Sequence, residues 1–275
     1  MEELVITSTK NPKIKHLLAL QEKSSLRRKE GLFVVEGRRE VEHCVASGYE
    51  VESLFINKKL VDEATTSSLL STLSSQFSIH SSQFSILSSQ LYEKVAYRGS
   101  TEGVIAIMKA KSRRLQDLQL SKNPLIVILE SVEKPGNLGA VLRSADAALA
   151  DAVIVCDPLT DLYNPNLIRS SIGAIFTVPT VACSSDECIR FLKERNIQIL
   201  TAQLQDSHLY YDTPMTQGTA IVMGTESTGL TDQWRQAATA HIRIPMLGRL
   251  DSLNVSVSAA ILLFEAVRQR QSRQQ

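Results

Sequence analysis

The alternation of hydrophobic and polar positions changes character near residue 124. From there on, short runs made almost entirely of apolar residues recur: 125-LIVIL-129, 153-VIVC-156, 197-IQIL-200, 220-AIVM-223 and the shorter 242-IRIP-245. Runs of this length without alternation suit strands buried on both faces. Between most of them the spacing is helical, over Leu138–Ala150, Asp186–Arg195 and Thr231–Ala237. A last stretch, Val255–Val267, reads as an apolar helix. Strands alternating with helices predict an α/β fold with a parallel sheet. Ligands of such sheets sit beyond the carboxyl ends of the strands.

The upstream part has a different pattern. Residues 1–110 read as a small α/β unit. A strand at Gly31–Val35, a helix over Gly37–Ser47, a strand at Val51–Ile56 and a closing strand in 104-VIAIMKA-110 frame it. Inside lies a near-repeat of four heptad-spaced units, 67-SSLLSTL-73, 74-SSQFSIH-80, 81-SSQFSIL-87 and 88-SSQLYEK-94. Solenoid units are longer, and Ser fills too many positions for a coiled-coil seam. The stretch is expected to fold as helix, strand and helix, with the strand at Gln76–His80. Residues 111–122 are polar and basic, as in a linker, leaving 123–275 as the second domain.

Charge adds one point. The formal net charge is only +1, so bulk charge predicts no partner. Nine Lys or Arg residues nevertheless stand between Lys10 and Arg39 against three Glu, and Lys109, Lys111, Arg113 and Arg114 form a second cluster. Such patches suit a polyanion through phosphate contacts, although a basic helix face is often merely solvated. The four cysteines form no C-x-x-C pair and the five histidines no zinc spacing, so no metal is expected. Cys44 and Cys156 lie in apolar runs and should pack as small hydrophobes. The Met1-Glu2-Glu3 start is unlike a signal peptide. No apolar run reaches the ~20 residues of a membrane span. The expected setting is the reducing cytoplasm, with no membrane partner.

Candidate chemistry follows three of the strands. After the first comes 130-ESVEKPGNLGAVLRSADA-147, where Asn137 is placed to cap a helix beginning near Leu138. Arg143 stands a turn and a half into that helix among Ala and Leu, where a guanidinium needs an anion or the surface. After the fourth comes 221-IVMGTESTGLTDQW-234. Gly224 permits close backbone approach, Glu226 offers a carboxylate and Gly229 a sharp turn. This is neither G-x-G-x-x-G nor a P-loop. After the fifth, Ser252, Asn254, Ser256 and Ser258 crowd the entrance of the last helix, although one cap would suffice. The set holds no nucleophilic Cys or His, so it suits gripping an adenosine-like ligand and a sugar–phosphate better than hydrolysis.

Three segments, 135-PGNLGAVLRSADA-147, 222-VMGTESTGL-230 and 244-IPMLGRLDSLNVSVSAAILLFEA-266, together resemble the three motifs of the SpoU/TrmH family of RNA 2′-O-ribose methyltransferases, within the SPOUT class. The resemblance covers roughly residues 123–270. The N-terminal part, with 31-GLFVVEGRREVEHCVASG-48, is similar to the RNA-binding domain that often precedes this core. Departures are Lys134 where an acidic residue is frequent, Ala150 for Gly and Ser258 for Ala. The resemblance implies a parallel-sheet core closed by a C-terminal trefoil knot, otherwise a rare topology. It implies S-adenosylmethionine as cofactor, with Gly224, Ile244, Met246 and Leu253 lining its adenosine pocket and Thr201 and Ala202 as a further wall. It implies a catalytic set of Arg143, Asn137, Glu226, Ser252 and Asn254, an rRNA or tRNA substrate, and a homodimer. Two other classes fit the same residues: a knotted RNA-binding protein without catalysis, and a SPOUT enzyme that methylates a base.

Overall fold

The computed structural model describes residues 5–62, 64, 71, 83–97, 102–225 and 228–272. The chain forms two compact units. One runs to Ser112 and takes in Tyr163–Thr177; the other comprises Arg113–Leu162 and the chain from Val178 onward.

The first unit is built from β1 (Val5–Ile6), α1 (Pro12–Glu22), α2 (Ser24–Glu30), β2 (Leu32–Glu36), α3 (Arg38–Ala46), β3 (Val51–Ile56), β4 (Phe84–Leu87), α4 (Ser89–Val95) and β5 (Val104–Lys109). Asn11 caps α1 by accepting from the Lys13 N–H, with Pro12 at the first helical position. Gly31 closes α2 in the left-handed region (φ 65°). The sheet order is β1-β4-β3-β5-β2, with β5 antiparallel to both its neighbours. Ile14, Leu17, Leu20, Phe55, Tyr92 and Ile105 are buried together on one face. The inserted segment carries two short helices, Pro165–Ser171 and Ala174–Thr177. Its Tyr163 stacks on Phe33 with ring centroids 4.2 Å apart. The strand expected at Gln76–His80 lies outside the described residues. A strand is present on the next copy of the repeat, at Phe84–Leu87.

The second unit contains β6 (Leu125–Glu130), α5 (Pro135–Ala147), β7 (Ala152–Cys156), β8 (Thr180–Cys183), α6 (Ser185–Glu194), β9 (Gln198–Ala202), β10 (His208–Leu209), β11 (Thr219–Met223), α7 (Asp232–Ala237), β12 (Ala240–Arg243) and α8 (Val255–Gln271). Its sheet order is β10-β12-β9-β11-β6-β7-β8, and every pairing is parallel. β6, β7 and β11 are buried along their whole length, as their unbroken apolar runs require. β11 and β6 are neighbours in register, with Met223 opposite Leu129. The loops that leave their carboxyl ends therefore emerge side by side. α8 packs on α5 and crosses β11 and β6.

Some expectations need adjusting. β8 and β10 were not foreseen. α5 begins at Pro135 rather than near Leu138. β12 ends at Arg243, two residues before the expected end. Within the polar stretch at 111–122, Leu115 is buried and joins the core of the second unit. Among the described residues no helix is long and apolar enough to cross a membrane.

Candidate active site

The three motif segments meet at the carboxyl edge of the second unit's sheet. A cavity of about 110 Å³ is lined by Val132, Glu133 and Lys134 after β6, Asn137 on α5, Gly224 and Thr225 after β11, and Val255 at the start of α8. A polar contact closes the same region, where the Asn254 side-chain amide donates to the Asn137 carbonyl oxygen at 3.1 Å. The Asn254 oxygen accepts from the Ser256 N–H (2.9 Å) and hydroxyl (2.6 Å), which makes Asn254 the N-cap of α8. One side chain thus starts the last helix and ties it to the first motif.

Asn137 is not an N-cap. Lys134 holds that position and Pro135 follows at the first helical position, where its missing N–H costs nothing. Asn137 falls in the first turn of α5, and its own N–H bonds the Lys134 carbonyl at 3.1 Å. Its side chain is thereby released to meet Asn254.

The turn after β11 is held by its own backbone. The Thr225 N–H donates to the Gly229 carbonyl (3.3 Å) and the Gly229 N–H to the Thr225 carbonyl (3.1 Å). The Thr225 hydroxyl accepts from the Thr228 N–H at 3.0 Å. Gly229 has φ 68°, which favours glycine. A Cβ on Gly224 would collide with the backbone of Gly229 and Leu230. Glu226 lies outside the described residues.

The other expected residues do not line this cavity. Ile244 and Met246 are half-buried in the segment after β12, and Ser252 and Leu253 are exposed just before α8. Ser252 does not cap the helix; its hydroxyl lies 3.5 Å from Asp251. Thr201 is buried, its hydroxyl 2.6 Å from the His241 ring nitrogen. Arg143 is exposed and does not line the cavity. It stands six residues beyond Asn137, roughly 9 Å further along the axis and about 120° around it. The surface, rather than an internal anion, accommodates its guanidinium.

A nucleoside-like cofactor suits this region in kind. Gly224 leaves its backbone accessible at the cavity, whereas Ile244, Met246 and Leu253 do not line it. The cavity takes only part of such a ligand, since whole small-molecule sites run to about 300 Å³ or more.

Comparison with known proteins bears on the same segments. The SpoU rRNA Methylase family profile matches residues 124–264, just over half of the chain. The chain belongs to the SpoU rRNA methylase family. With that membership it is an RNA 2′-O-methyltransferase that uses S-adenosylmethionine. Residues 11–106 match the MRM3-like substrate binding domain. The 23S rRNA (guanosine-2′-O-)-methyltransferase RlmB of Escherichia coli strain K12 is 40% identical over 175 residues, covering 62% of this chain and 72% of that one. The 23S rRNA (guanosine(2553)-2′-O)-methyltransferase RlmP of Bacillus subtilis is 28% identical over 259 residues, covering 94% and 97%. Among solved structures, an RNA 2′-O ribose methyltransferase superposes with a TM-score of 0.81 at 37% identity, covering 98% and 100%. The AviRb methyltransferase of Streptomyces viridochromogenes, in complex with AdoMet, superposes with a TM-score of 0.84 at 28% identity, covering 95% and 100%.

Glu130 is a member of this region that the sequence reading missed. It ends β6, is 2% exposed, and accepts from the Thr231 hydroxyl (2.6 Å) and the Thr231 N–H (2.9 Å). It thereby anchors the far end of the Gly224–Leu230 turn to β6. Beside it the Trp234 indole N–H donates to the Ser185 hydroxyl (2.9 Å), which donates to Asp157 (2.6 Å). Replacing Glu130 with alanine strips Thr231 of both contacts and leaves a gap at the end of the sheet. The expected cost is roughly 2 kcal/mol. A thermal melt of Glu130→Ala should show the second unit unfolding about 4–8 °C lower. An unchanged melting temperature would mean that the contact anchors nothing.

The expectation of no metal rested on spacing along the chain. The fold gathers three cysteines from separate elements: Cys156, Cys183 and Cys188, with their Sγ atoms within 4.8 Å of one another. Cys44 and Cys156 are both fully buried, and Cys156 belongs to the apolar core of the second unit.

Proposed function

We propose that this chain methylates a ribose 2′-hydroxyl of 23S rRNA in the cytoplasm. It acts as a homodimer, with Arg143 holding the reacting nucleotide and the Asn137–Asn254 pair fixing the site. The observation that carries this reading is that hydrogen bond, because it joins the first and third motifs beside Gly224 of the second. Relatives named as 23S rRNA methyltransferases over nearly the whole chain support the choice of substrate. The C-terminal segment is proposed to thread as the trefoil knot of its class.

S-adenosylmethionine, when bound, supplies a methyl group already activated by its sulfonium. Gly224, Ile244, Met246 and Leu253 would hold it. The chain's own residues then have to position the sugar and manage a proton. A guanidinium, with a pKa above ~12, is a poor base. Arg143 therefore fixes the substrate phosphate and stabilises the developing alkoxide by charge-assisted hydrogen bonds. Asn137 and Asn254 hold the entrance of α8 against α5, and Ser252, exposed just before α8, turns its hydroxyl to the ribose. Glu226 is assigned to orient Arg143 or to take the proton through water. Arg143 is exposed and outside the cavity lining of its own chain, so a second subunit completing the site accounts for its position.

Mapping of ribose and base methylation in 23S rRNA from cells with and without the gene tests the reading. The expected result is loss of a single 2′-O-methyl mark, restored by the wild-type gene. Loss of a methylated base instead, or of a mark in tRNA only, would overturn it.

A further inference from the structure

The cysteine trio lies on β7, β8 and α6, which carry none of the residues proposed for the reaction. Cys156 is the last residue of β7 and Cys183 the last of β8, and the two are partners in the parallel register. Side chains of register partners leave a sheet on the same face. α6 then turns back over that face and brings Cys188, near its start, to the same point. Cys156 and Cys188 are fully buried, while Cys183 is partly accessible.

We propose that Cys156, Cys183 and Cys188 bind one thiophilic d10 cation, of the class of zinc(II), which ties the carboxyl ends of β7 and β8 to the start of α6. The magnitudes favour a metal over the other uses of three thiols. Zinc–sulfur bonds of about 2.3 Å at tetrahedral angles place sulfurs ~3.8 Å apart. Sulfurs already within 4.8 Å of one another need to close by an ångström or less. A disulfide needs ~2.05 Å between two sulfurs and strands the third thiol. Water completes the coordination sphere on the side where Cys183 is accessible, because no fourth side-chain donor groups with the three sulfurs among the described residues.

The position of Cys183 favours the thiolate form that a metal needs. Cys183 directly precedes Ser184, the N-cap of α6, so it sits at the positive end of a helix dipole. Binding exchanges three S–H bonds for three metal–sulfur bonds and passes the protons to solvent, with no change of oxidation state. The cation offsets charge that the apolar core would otherwise have to bury. The consequence is stability of this edge of the sheet, not a step in methyl transfer.

The test uses the full chain, reduced with a phosphine and stripped with a chelator, then titrated anaerobically with cobalt(II). The expected result is a sulfur-to-cobalt charge-transfer band that saturates at a single equivalent, is displaced by zinc(II), and is accompanied by a higher melting temperature. Cys183→Ser should abolish the band. Cys183 is half-buried, so this variant folds even where Cys188→Ser does not. Cys44→Ala, in the other unit, should keep the band in full. No band at excess cobalt, or a band indifferent to Cys183→Ser, overturns the proposal. So does a stoichiometric disulfide within the trio when the untreated protein is alkylated and weighed.

Discussion

Arg143→Ala should transfer methyl groups to RNA about 10²–10³-fold more slowly than the wild type, the usual effect of removing one preorganised donor to a developing oxyanion. Its fold should be unaffected. The side chain is exposed on α5 and does not line the cavity beside Gly224, so substitution should change stability by no more than about 0.5 kcal/mol. Cofactor affinity should also be unchanged, since Gly224, Ile244 and Met246 stay as they are. Arg143→Lys should recover little, because an ammonium is a point charge without the planar fork that grips a phosphate in two places. Single-turnover methylation of 23S rRNA, with a parallel S-adenosylmethionine titration, measures both quantities. Near wild-type turnover in Arg143→Ala would remove the proposed role. Loss of cofactor binding along with turnover would show the arginine to be part of the cofactor site instead.

Gly224→Ala should show the opposite signature. The added methyl has nowhere to go, because the obstacle is the backbone of Gly229 and Leu230 rather than a movable side chain. The Thr225–Gly229 backbone pair must open or the turn must shift as a whole. Overpacking of this kind costs about 1–3 kcal/mol. A displacement of about an ångström at a positioning loop lowers the rate by about 10²-fold. Cofactor affinity should fall along with the rate, together with a melting temperature lower by several degrees. Gly136→Ala serves as a folding control: it sits in the first turn of α5, and a Cβ there meets nothing within 4 Å. Calorimetric titration of both variants decides the matter. An undiminished affinity in Gly224→Ala would exclude this glycine from the cofactor site.

What the sequence conveyed follows the range of each interaction. β6, β7 and β11 were readable because burial on both faces leaves an unbroken apolar signature. β8 and β10 were not, since four residues with a polar start and two residues ending in an exposed loop carry no period. In the Ser-rich repeat consecutive copies are nearly identical and pattern cannot choose between them: the copy at Phe84–Leu87 is a strand, and the one expected at Gln76–His80 lies outside the described residues. Pro135 is a good first helical residue, but read as part of Pro-Gly-Asn it looked like a breaker, which moved Asn137 into the wrong role. Arg143 was expected to need an anion or the surface because its sequence neighbours are apolar, and it finds the surface. Those neighbours, Val141, Leu142 and Ala145, face the core while Arg143 and Asp146 face out. Contacts between distant residues left no local trace. Asn254 meets Asn137 across 117 positions and Glu130 meets Thr231 across 101. The three cysteines escaped notice for the same reason, since a spacing rule detects ligands that are neighbours in the chain.

The Tyr163–Thr177 segment belongs with the first unit although both its flanks belong to the second. The polypeptide therefore crosses from one unit to the other at three places instead of one. Phe33 finds its stacking partner Tyr163 and its neighbour Phe176 only after the chain has built β6, α5 and β7. During synthesis the amino-terminal unit must wait, partly bare, for a piece of itself that the ribosome delivers late. Grafting it onto another catalytic core would fail unless that excursion travelled with it.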